Sequence, residues 1–455
     1  MSRAFDVIVL GLGGMGSAAA AHLARRGLRV LGLEQFHSPH DQGSSHGRSR
    51  VIRQAYFEDP AYVPLLLRAY ELWRELENEN RQQLLTVTGG LMLGASDSVV
   101  VTGSRRSAEQ HGLPHELLNA RDIKRRFPQF QPEPDTVALF EPNAGVVRPE
   151  EAVAAHLALA AKAGAKLHQD ERVLSWRATA GRVHVTTTRG EYEAGQLAIC
   201  AGAWAGDVLR ELNLPFRVER QVQFWFEPAA GLQNLLPGKL PVWLWEARDG
   251  AHPYGMPALD GPHGGIKAAL HHGGGANRFC TAATVNRHVG AEEIIQAQAV
   301  IASRLPAAKG RCLRALACLY TSLPDEHFLI DRHPAHPEVL VVSPCSGHGF
   351  KFCPVIGEIV ADLVSQNRTG YPIGLFKLSR LCSELSRAGE YGAVGNSLRD
   401  RSAGLRPGGF QWQHDIAPAG VRRQFFSQFF ELPFDAWVSP AVRATGRCSR
   451  LPRSL

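Results

Sequence analysis

The sequence predicts a two-lobed α/β protein, in which a Rossmann-like dinucleotide-binding domain is joined to a second domain built on a mainly antiparallel β-sheet. The chain opens with a strand, a glycine-rich turn, a helix and a second strand, and strand-glycine-helix patterns return near Gly202 and Ser346. Between these returns, residues 216–318 are rich in aromatic and β-like runs. The length of 455 residues also exceeds the roughly 100–200 residues of one typical domain.

The opening βαβ pattern is the strongest local signal. An apolar strand and a helix flank a G-x-G-x-x-G turn made by Gly11, Gly13 and Gly16, and Glu34 ends the second strand. Such glycines let the backbone approach a pyrophosphate at the helix N-terminus, and the carboxylate can accept the ribose hydroxyls. By itself, the glycine pattern could mark only a tight strand-to-helix turn that binds nothing. The acidic residue at this spacing favours dinucleotide binding.

Further elements follow in order along the chain. The stretch "YVPLLLRAYELWRELENEN" has helical periodicity, "TVTGGLMLGA" is typical of a hairpin, and the alanine-rich residues 151–166 are predicted to be helical. From about residue 381 the sequence is rich in glycine, proline and arginine with little periodicity, which predicts a poorly ordered tail. We assign residues 1–80, 146–215 and 319–380 to the dinucleotide-binding domain, residues 81–145 and 216–318 to the second domain, and residues 381–455 to the tail.

Composition narrows the class of protein. A hydrophobic content of 44% and a charged content of 20% are ordinary for a soluble globular chain, and no apolar run approaches the roughly 20 residues of a membrane span. The net charge of +7 is concentrated in the arginine-rich tail, so the main body gives little support for a nucleic-acid partner. The N-terminus lacks the pattern of a secretory signal, and the final Arg-Ser-Leu differs from the peroxisomal Ser-Lys-Leu, so we expect a cytoplasmic protein.

The eight cysteines are scattered without a C-x-x-C pair. In a chain that is not exported, this spacing favours free thiols over a disulfide framework or a metal site. Cys318 lies between Ala317 and Leu319 in an apolar run, a setting in which a cysteine usually serves packing.

Two loops carry candidate anion-binding cations. "GSSHGRSRVIRQAY" places His46 beside Arg50 and Arg53 just after the βαβ unit, where ligands of such sheets collect. Arginine suits a small carboxylate, although solvated surface arginines are the alternative. "SGHGFKF" sets Lys351 between two phenylalanines at a strand-to-helix turn. A buried ammonium there calls for an anion, unless the side chain reaches out to solvent.

A third stretch, "GGIKAALHHGGG", places Lys267 four residues before His271. In a strand, both side chains lie on one face. They could therefore look into a cavity, or the stretch could be a hairpin facing solvent.

These stretches together resemble the family of monomeric sarcosine oxidase and N-methyl-L-tryptophan oxidase, which are FAD-dependent oxidases of secondary amino acids. The resemblance covers about residues 5 to 380, and the four motifs occur in family order. The cysteine two residues before a tyrosine, followed by a Pro-Asp-Glu turn, is a family motif matched by Cys318, Tyr320 and residues 324–326. In the family that sulfur is bonded to the flavin 8α carbon, so the resemblance implies covalent FAD at Cys318 and overrides the packing interpretation.

The resemblance also implies a role for each candidate residue. Lys267 is implied as the oxygen-activating group, Arg50 as a second cation at the flavin face, and Arg53 with Lys351 as the clamp for the substrate carboxylate. His46, His271, Tyr254 and Tyr320 are implied to line the pocket. The cofactor-binding residues that it implies are Gly11, Gly13, Gly16, Glu34, Val173, Cys318 and Gly347.

The activity that follows is oxidation of the C–N bond of sarcosine or another N-methyl-L-amino acid to an imine, with reduction of O2 to hydrogen peroxide, by a monomeric protein. The residues leave two alternatives open. One is a dehydrogenase that passes its electrons to another acceptor, and the other is an inactive flavin-binding protein.

Overall fold

A computed structural model gives the structure of residues 5–381, apart from residues 180, 230, 262 and 274–277. The predicted disorder of the tail concerns residues that lie outside this range. Within the range, no helix is long and apolar enough to span a bilayer. The cytoplasmic location stays a prediction.

Strands and helices alternate through the described part of the chain. The strands are β1 (Phe5–Leu10), β2 (Val30–Leu33), β3 (Arg50–Ile52), β4 (Leu85–Val87), β5 (Gly90–Gly94), β6 (Glu116–Asn119), β7 (Val137–Glu141), β8 (Gly145–Val147), β9 (Lys166–His168), β10 (Val173–Thr179), β11 (Arg182–Thr187), β12 (Glu191–Ile199), β13 (Arg217–Phe226), β14 (Val242–Trp245), β15 (Pro253–Gly255), β16 (Ile266–Leu270), β17 (Phe279–Cys280), β18 (Cys312–Ser322), β19 (Leu329–His333) and β20 (His336–Ser343). The α-helices are α1 (Gly14–Arg25), α2 (Val63–Asn80), α3 (Val99–His111), α4 (Ala120–Arg126), α5 (Pro149–Lys162), α6 (Ala205–Val208), α7 (Ala291–Arg304) and α8 (Cys353–Gln366).

The first sheet holds the opening βαβ unit. Its strand order is β10-β11-β12-β1-β2-β9, with β20 paired to the second half of β12 and β19 paired to β20. Strands β12, β1, β2 and β9 run parallel. Both faces of β1 are buried, since Val7 and Val9 pack in one apolar cluster with α1, and Ile8 and Leu10 pack in a second cluster with residues of β11. Helix α1 packs against both α5 and α8.

The turn from β1 into α1 requires glycine at two positions. Gly11 has φ +88°, and a Cβ there would lie 2.5 Å from the carbonyl oxygen of Cys200. A Cβ on Gly16 would lie 1.7 Å from the carbonyl oxygen of Gly11. Helix α1 can therefore start directly beneath the strand only because both positions lack a side chain.

The second sheet is mainly antiparallel, as predicted. Its order is β17-β13-β16-β15-β14-β5-β7-β6, with β18 paired to the other side of β13. Only the β14–β5 pairing is parallel among the described strands of this sheet. Val222, Phe224 and Phe226 of β13 pack in one apolar cluster with Ala297 and Ile301 of α7. The opposite face of the sheet is thereby left for other contacts.

The predicted fold class is confirmed, and the helix at "YVPLLLRAYELWRELENEN" is α2. The predicted hairpin in "TVTGGLMLGA" is wrong. β4 pairs with β8 in a small sheet of order β3-β8-β4, whereas β5 pairs with β7 and β14. Gly89, with φ +73°, turns the chain from one sheet into the other. The residue boundaries of the two domains stay a prediction, and the boundary at 318 falls inside β18.

We predict that Gly16→Ala lowers the stability of the protein by about 1–3 kcal/mol, because the new methyl group collides with rigid backbone. Gly190→Ala is the matched control, since a Cβ at Gly190 meets nothing within 4 Å. Thermal unfolding should show a lower melting temperature for the first variant only. Equal melting temperatures of both variants and the wild type would contradict the close packing at Gly16.

Candidate active site

A cavity of about 1140 Å³ runs between the glycine turn and the second sheet. It is larger than the roughly 300–1,000 Å³ of most small-molecule sites, so it has room for a dinucleotide together with a small substrate. The candidate residues from the sequence that line it are Gly11, Gly13, Glu34, Arg50, Arg53, Val173, Tyr254, Lys267, His271, Cys318, Tyr320, Gly347 and Lys351.

Two candidate residues do not line the cavity. Gly16 packs under the turn, as described above. His46 is buried beside the wall residue Cys318, whose pKa it lowers, and its place in the substrate pocket stays a prediction. The neighbouring Ser44 and Ser45 of the same loop do line the cavity, and the Glu150 carboxylate fixes the loop by accepting hydrogen bonds from the backbone N–H groups of Gly47 and Arg48.

The end of the cavity at the glycine turn fits a dinucleotide. A Cβ on Gly13 would meet only the Ser45 hydroxyl, at 3.4 Å, so the backbone faces open space on this side. Ser45 also accepts a hydrogen bond of 2.9 Å from the Gly14 N–H. The turn therefore presents a bare backbone at a helix N-terminus, which is the feature that a pyrophosphate requires.

Glu34 is held at the same end of the cavity. Its Oε2 accepts a hydrogen bond of 2.8 Å from the Leu12 N–H, and its Oε1 accepts one of 3.1 Å from the Phe36 N–H. The carboxylate is thus fixed at the cavity wall with acceptor capacity remaining on each oxygen. Val173, the first residue of β10, lines the same end.

Lys267 links the second sheet to the loop that follows the βαβ unit. It lies on β16 and is 3% exposed, and its Nζ donates to the carbonyl oxygens of Gly47 (2.7 Å) and Ser49 (2.8 Å). The Nζ also lies 5.1 Å from the centre of the Trp225 ring. Burial, with nearby Arg50 adding to it, holds the pKa of this ammonium well below its usual value.

Cys318 lies in the interior of β18 and is 2% exposed. Arg50 Nη2 lies 3.5 Å from its Sγ. Burial by itself raises the pKa of the thiol, but His46 and Arg50 outweigh burial and lower the pKa to about 6. Cys318 is thus set to be a thiolate near neutral pH.

Arg53 is buried and paired. Its Nη2 lies 2.7 Å from each carboxylate oxygen of Glu58, and its guanidinium carbon lies 4.1 Å from the centre of the Tyr56 ring. Burial raises the pKa of Glu58, but Arg53, followed by His348 and Lys351, acts more strongly and leaves the pKa below its usual value. Arg53 therefore already binds one carboxylate at the cavity wall.

Lys351 reaches the same tyrosine from a distant part of the chain. Its Nζ donates to the His348 carbonyl oxygen at 2.6 Å and lies 3.4 Å from the Tyr56 hydroxyl. Burial, with Arg53 adding to it, lowers the pKa of the Lys351 ammonium to about 7. The segment directly after β3 and the turn after β20 thus bring two cations together at Tyr56.

A third part of the wall is uncharged. His271 Nδ1 and the Tyr320 hydroxyl are 3.1 Å apart, and a Cβ on Gly347 would lie 2.7 Å from the Tyr320 ring. Burial, followed by His272, keeps the pKa of His271 well below its usual value. Burial raises the pKa of Tyr254 and, more strongly, that of Tyr320. This wall therefore offers neutral hydrogen-bonding groups.

The sequence analysis missed several residues that line the cavity. Glu58 follows Arg53 by five positions, but nothing in the local pattern distinguishes it from a surface acid. Gln221 and Gln223 on β13 could have been found, because "RVERQVQFWF" alternates polar and apolar residues as a strand with one polar face does. Gln221 lies opposite Cys318 in the β13–β18 register, and its Oε1 has no hydrogen-bond partner among the described residues.

Residues 6–363 match the sequence model of a family described as FAD dependent oxidoreductase. The chain belongs to this family. It is thus an FAD-dependent oxidoreductase, and the glycine turn, Glu34 and the long cavity are compatible with FAD. The family resemblance stated from the motifs is confirmed by individual relatives.

The chain is 52% identical over 385 residues to the monomeric sarcosine oxidase of Streptomyces avermitilis, a match that covers 84% of this chain and 99% of that one. It is 35% identical over 381 residues to the N-methyl-L-tryptophan oxidase of Escherichia coli, with coverage of 83% and 99%. Among solved structures, the open form of NikD, an amino acid oxidase essential for nikkomycin biosynthesis, superposes with a TM-score of 0.72 at 25% identity, covering 83% of this chain and 98% of that one. Glycine oxidase from Geobacillus kaustophilus shares the fold, with a TM-score of 0.68 at 21% identity and coverage of 82% and 98%.

We predict that Glu58→Gln makes the protein less sensitive to acid. The wild-type carboxylate has a folded pKa below its ordinary value of 4.5, so its stabilising effect is present above that value and is lost as pH falls through the folded pKa. At pH 7 the variant should be less stable by about 3–5 kcal/mol, because Arg53 stays buried without its counter-charge.

The measurement is the melting temperature between pH 7 and pH 3, with Glu71→Gln as control, since Glu71 pairs with Arg68 on the surface. The melting temperature of Glu58→Gln should fall less steeply below pH 4.5 than that of the wild type and of the control. If the melting temperatures of all three proteins fall in parallel as the pH is lowered, Arg53 does not keep the Glu58 carboxylate ionised.

Proposed function

We propose that this protein oxidises secondary amino acids, such as sarcosine or other N-methyl-L-amino acids, to imines and reduces O2 to hydrogen peroxide. The observation that carries the proposal is the convergence of Arg53 and Lys351 on Tyr56, in the wall of the cavity that also contains Cys318 and Lys267. The names of the relatives at 52% and 35% identity point to the same substrate class.

The two cations suit the carboxylate of an amino acid. Arg53 already holds the Glu58 carboxylate through two contacts of 2.7 Å, so the binding geometry for such a group exists. Lys351, with a pKa near 7, is only partly charged before a ligand arrives. A substrate carboxylate would favour its charged form and would satisfy a buried ammonium that now has only neutral oxygens as partners.

The uncharged wall suits the amine end of the substrate. His271 and Tyr320 are hydrogen-bonded to each other, and burial keeps the histidine neutral and the tyrosine protonated. Such groups accept and donate hydrogen bonds without repelling or neutralising an amine. We therefore propose that the substrate amine is bound unprotonated, with its carboxylate at Arg53 and Lys351, and that this fixed orientation supplies the proximity term of catalysis.

FAD, when bound, supplies the redox chemistry by accepting a hydride equivalent from the substrate carbon and passing two electrons to O2. The protein holds the reactants and moves protons. Lys267 is fixed by two carbonyl oxygens, and burial lowers its pKa, so Nζ gives up a proton more readily than an exposed lysine does. We propose this Nζ as the group that assists oxygen reduction electrostatically.

We also propose that Cys318 holds the cofactor as a thioether. The support is its thiolate character, with a pKa of about 6, and its place in the cavity wall. Forming the C–S bond removes the thiol hydrogen and one hydrogen of the flavin methyl group, and O2 takes both with two electrons to give hydrogen peroxide. Because residues of a single chain form the wall of the cavity, we further propose that the monomer is the active unit.

We predict that the yellow colour of the holoprotein stays with the pellet after acid precipitation and moves to the supernatant in Cys318→Ser. A thioether survives denaturation, whereas a cofactor held only by the fold is released. Cys312→Ser is the matched control on the same strand and should retain the colour. Release of the cofactor from the wild-type protein would overturn the covalent assignment and leave the oxidase assignment standing.

We predict that anaerobic mixing with sarcosine bleaches the flavin absorbance and that admitting O2 restores it with one hydrogen peroxide per turnover. Lys267→Met should slow the second step at least tenfold while leaving the rate of the first within about threefold. The reason is that the variant lacks the cation that stabilises the negative charge formed during oxygen reduction. Stopped-flow absorbance measures both steps.

The outcomes separate the alternatives. Bleaching without peroxide would indicate a dehydrogenase that uses another acceptor. No bleaching with sarcosine or with other N-methyl-L-amino acids would favour an inactive flavin-binding protein. If Lys267→Met affects both steps equally, Lys267 does not have the assigned role.

A further inference from the structure

A buried carboxylate and a histidine form a hydrogen-bonded pair directly behind the His271–Tyr320 wall, and the proposed reaction does not use this pair. Glu219 of β13 is 3% exposed, and its Oε2 lies 2.9 Å from Nδ1 of His272. Its Oε1 accepts a hydrogen bond of 2.7 Å from Gln221. Neither Glu219 nor His272 lines the cavity, so any effect on the substrate must pass through other groups.

The pair contacts both members of the wall. Glu219 lies opposite Tyr320 in the β13–β18 register. The ring centre of His272 is 4.2 Å from that of His271 and 5.6 Å from that of Tyr320, which it meets at an angle of 81°. His272 therefore supports the two rings whose 3.1 Å contact forms the wall.

The backbone of His272 gives a second, independent observation. Its φ is +56°, in the left-handed region that glycine occupies readily and that histidine adopts only at a cost. Strained residues of this kind persist where the surroundings hold them and cluster at functional sites. Because glycine would relieve the strain, the presence of histidine points to a use for its ring.

Other charged and titratable groups of the described residues lie next to the pair. Glu326 Oε1 lies 3.6 Å from Nε2 of His272, and Arg278 Nε lies 3.8 Å from Oε1 of Glu219. His252 lies close enough to add to the effects on His271. Glu219 thus has a cationic or hydrogen-bonding partner at each oxygen, and its carboxylate is fixed in place.

We propose that Glu219 and His272 form a positioning pair that sets the orientation of His271 and Tyr320 and thereby the fit of the secondary amine. This inference rests on the proposed function. The pair acts through the wall and touches no reacting atom. It explains why a carboxylate is buried on the polar face of β13 and why a strained histidine lies in the turn that follows β16.

The test compares His272→Gly, Glu219→Ala and the double variant. Glycine relieves the left-handed strain but leaves the buried Glu219 carboxylate without its histidine, so the melting temperature of His272→Gly is measured to show that the variant is folded at the assay temperature. Its kcat/KM for sarcosine should nevertheless fall at least about tenfold, because a misplaced wall misorients the amine. The affinity for propionate, a carboxylate without an amine, should change less than about twofold, because the carboxylate clamp is untouched. Glu219→Ala should behave in the same way in kcat/KM.

Three comparisons make the role specific. The double variant should lose no more kcat/KM than either single variant, because the two residues act as a unit. Glu219→Gln, which keeps an acceptor for His272 Nδ1, should retain most of the activity. Arg81→Gly is the control for the backbone effect, since Arg81 also has a positive φ, of 53°, at the end of α2, and its kcat/KM should be unchanged.

A readout without turnover separates this inference from the proposed function. Crystal structures of the wild-type holoprotein and of His272→Gly should show the contact between His271 and Tyr320 present in the first and lost in the second. If no N-methyl-L-amino acid reduces the wild-type flavin, the proposed function fails. The distance between His271 Nδ1 and the Tyr320 hydroxyl still shows whether the pair positions these two side chains. The proposal of a positioning pair is wrong if the His271–Tyr320 contact is unchanged in His272→Gly, or if the losses of kcat/KM in the single variants add in the double variant.

Discussion

The arrangement of the site depends on the two hydrogen bonds from Lys267 Nζ to the backbone of the loop at residues 43–49. They tie β16 of the second sheet to the segment that leaves the βαβ unit. With the loop held there, Arg50 reaches Cys318 and Ser45 reaches the start of α1. A buried ammonium needs such oxygen partners, and the same burial gives Lys267 a proton that it can release easily. One physical requirement thus serves both the architecture and the proposed chemistry.

Buried charge is distributed around the cavity so that each group has a different partner. Arg53 has a full counter-ion in Glu58, Lys267 has two carbonyl oxygens, and Lys351 has one carbonyl and a tyrosine hydroxyl. Because Glu58 outweighs burial, the pKa of Arg53 stays above its usual value, whereas burial lowers the pKa of Lys351 to about 7. The least satisfied cation is the one that gains most from an anionic ligand. The wall at His271 and Tyr320 is neutral, so the cavity has one charged end and one uncharged side for an amino acid.

Much of this site could be predicted from the sequence, because several signals are local. The glycine turn, the strand carrying Lys267 and the strand-to-helix turn carrying Lys351 all follow from spacing and periodicity, and the structure has each of them. The structure also brings those residues to one cavity. The pairing of Glu58 with Arg53 and the burial of His46 behind the wall depend on how distant segments pack, and no local pattern contains that information. The failed hairpin has the same cause, since the two short strands around Gly89 look continuous in sequence but join different sheets.

Strand β18 carries Cys318 and Tyr320 on the same face, two residues apart, and this spacing limits how the pocket can vary. A strand advances by about 6.8 Å over two residues, and its pairing with β13 along its length keeps that distance rigid. With Cys318 as the proposed tether, the gap between the attachment point and the Tyr320 wall cannot widen without breaking the ladder. Room for a bulkier amino acid must therefore come from other strands, such as β5 and β14, whose Met92 and Leu244 also line the cavity. Relatives that accept substrates of different size should accordingly differ in the strands equivalent to β5 and β14 before they differ in β18.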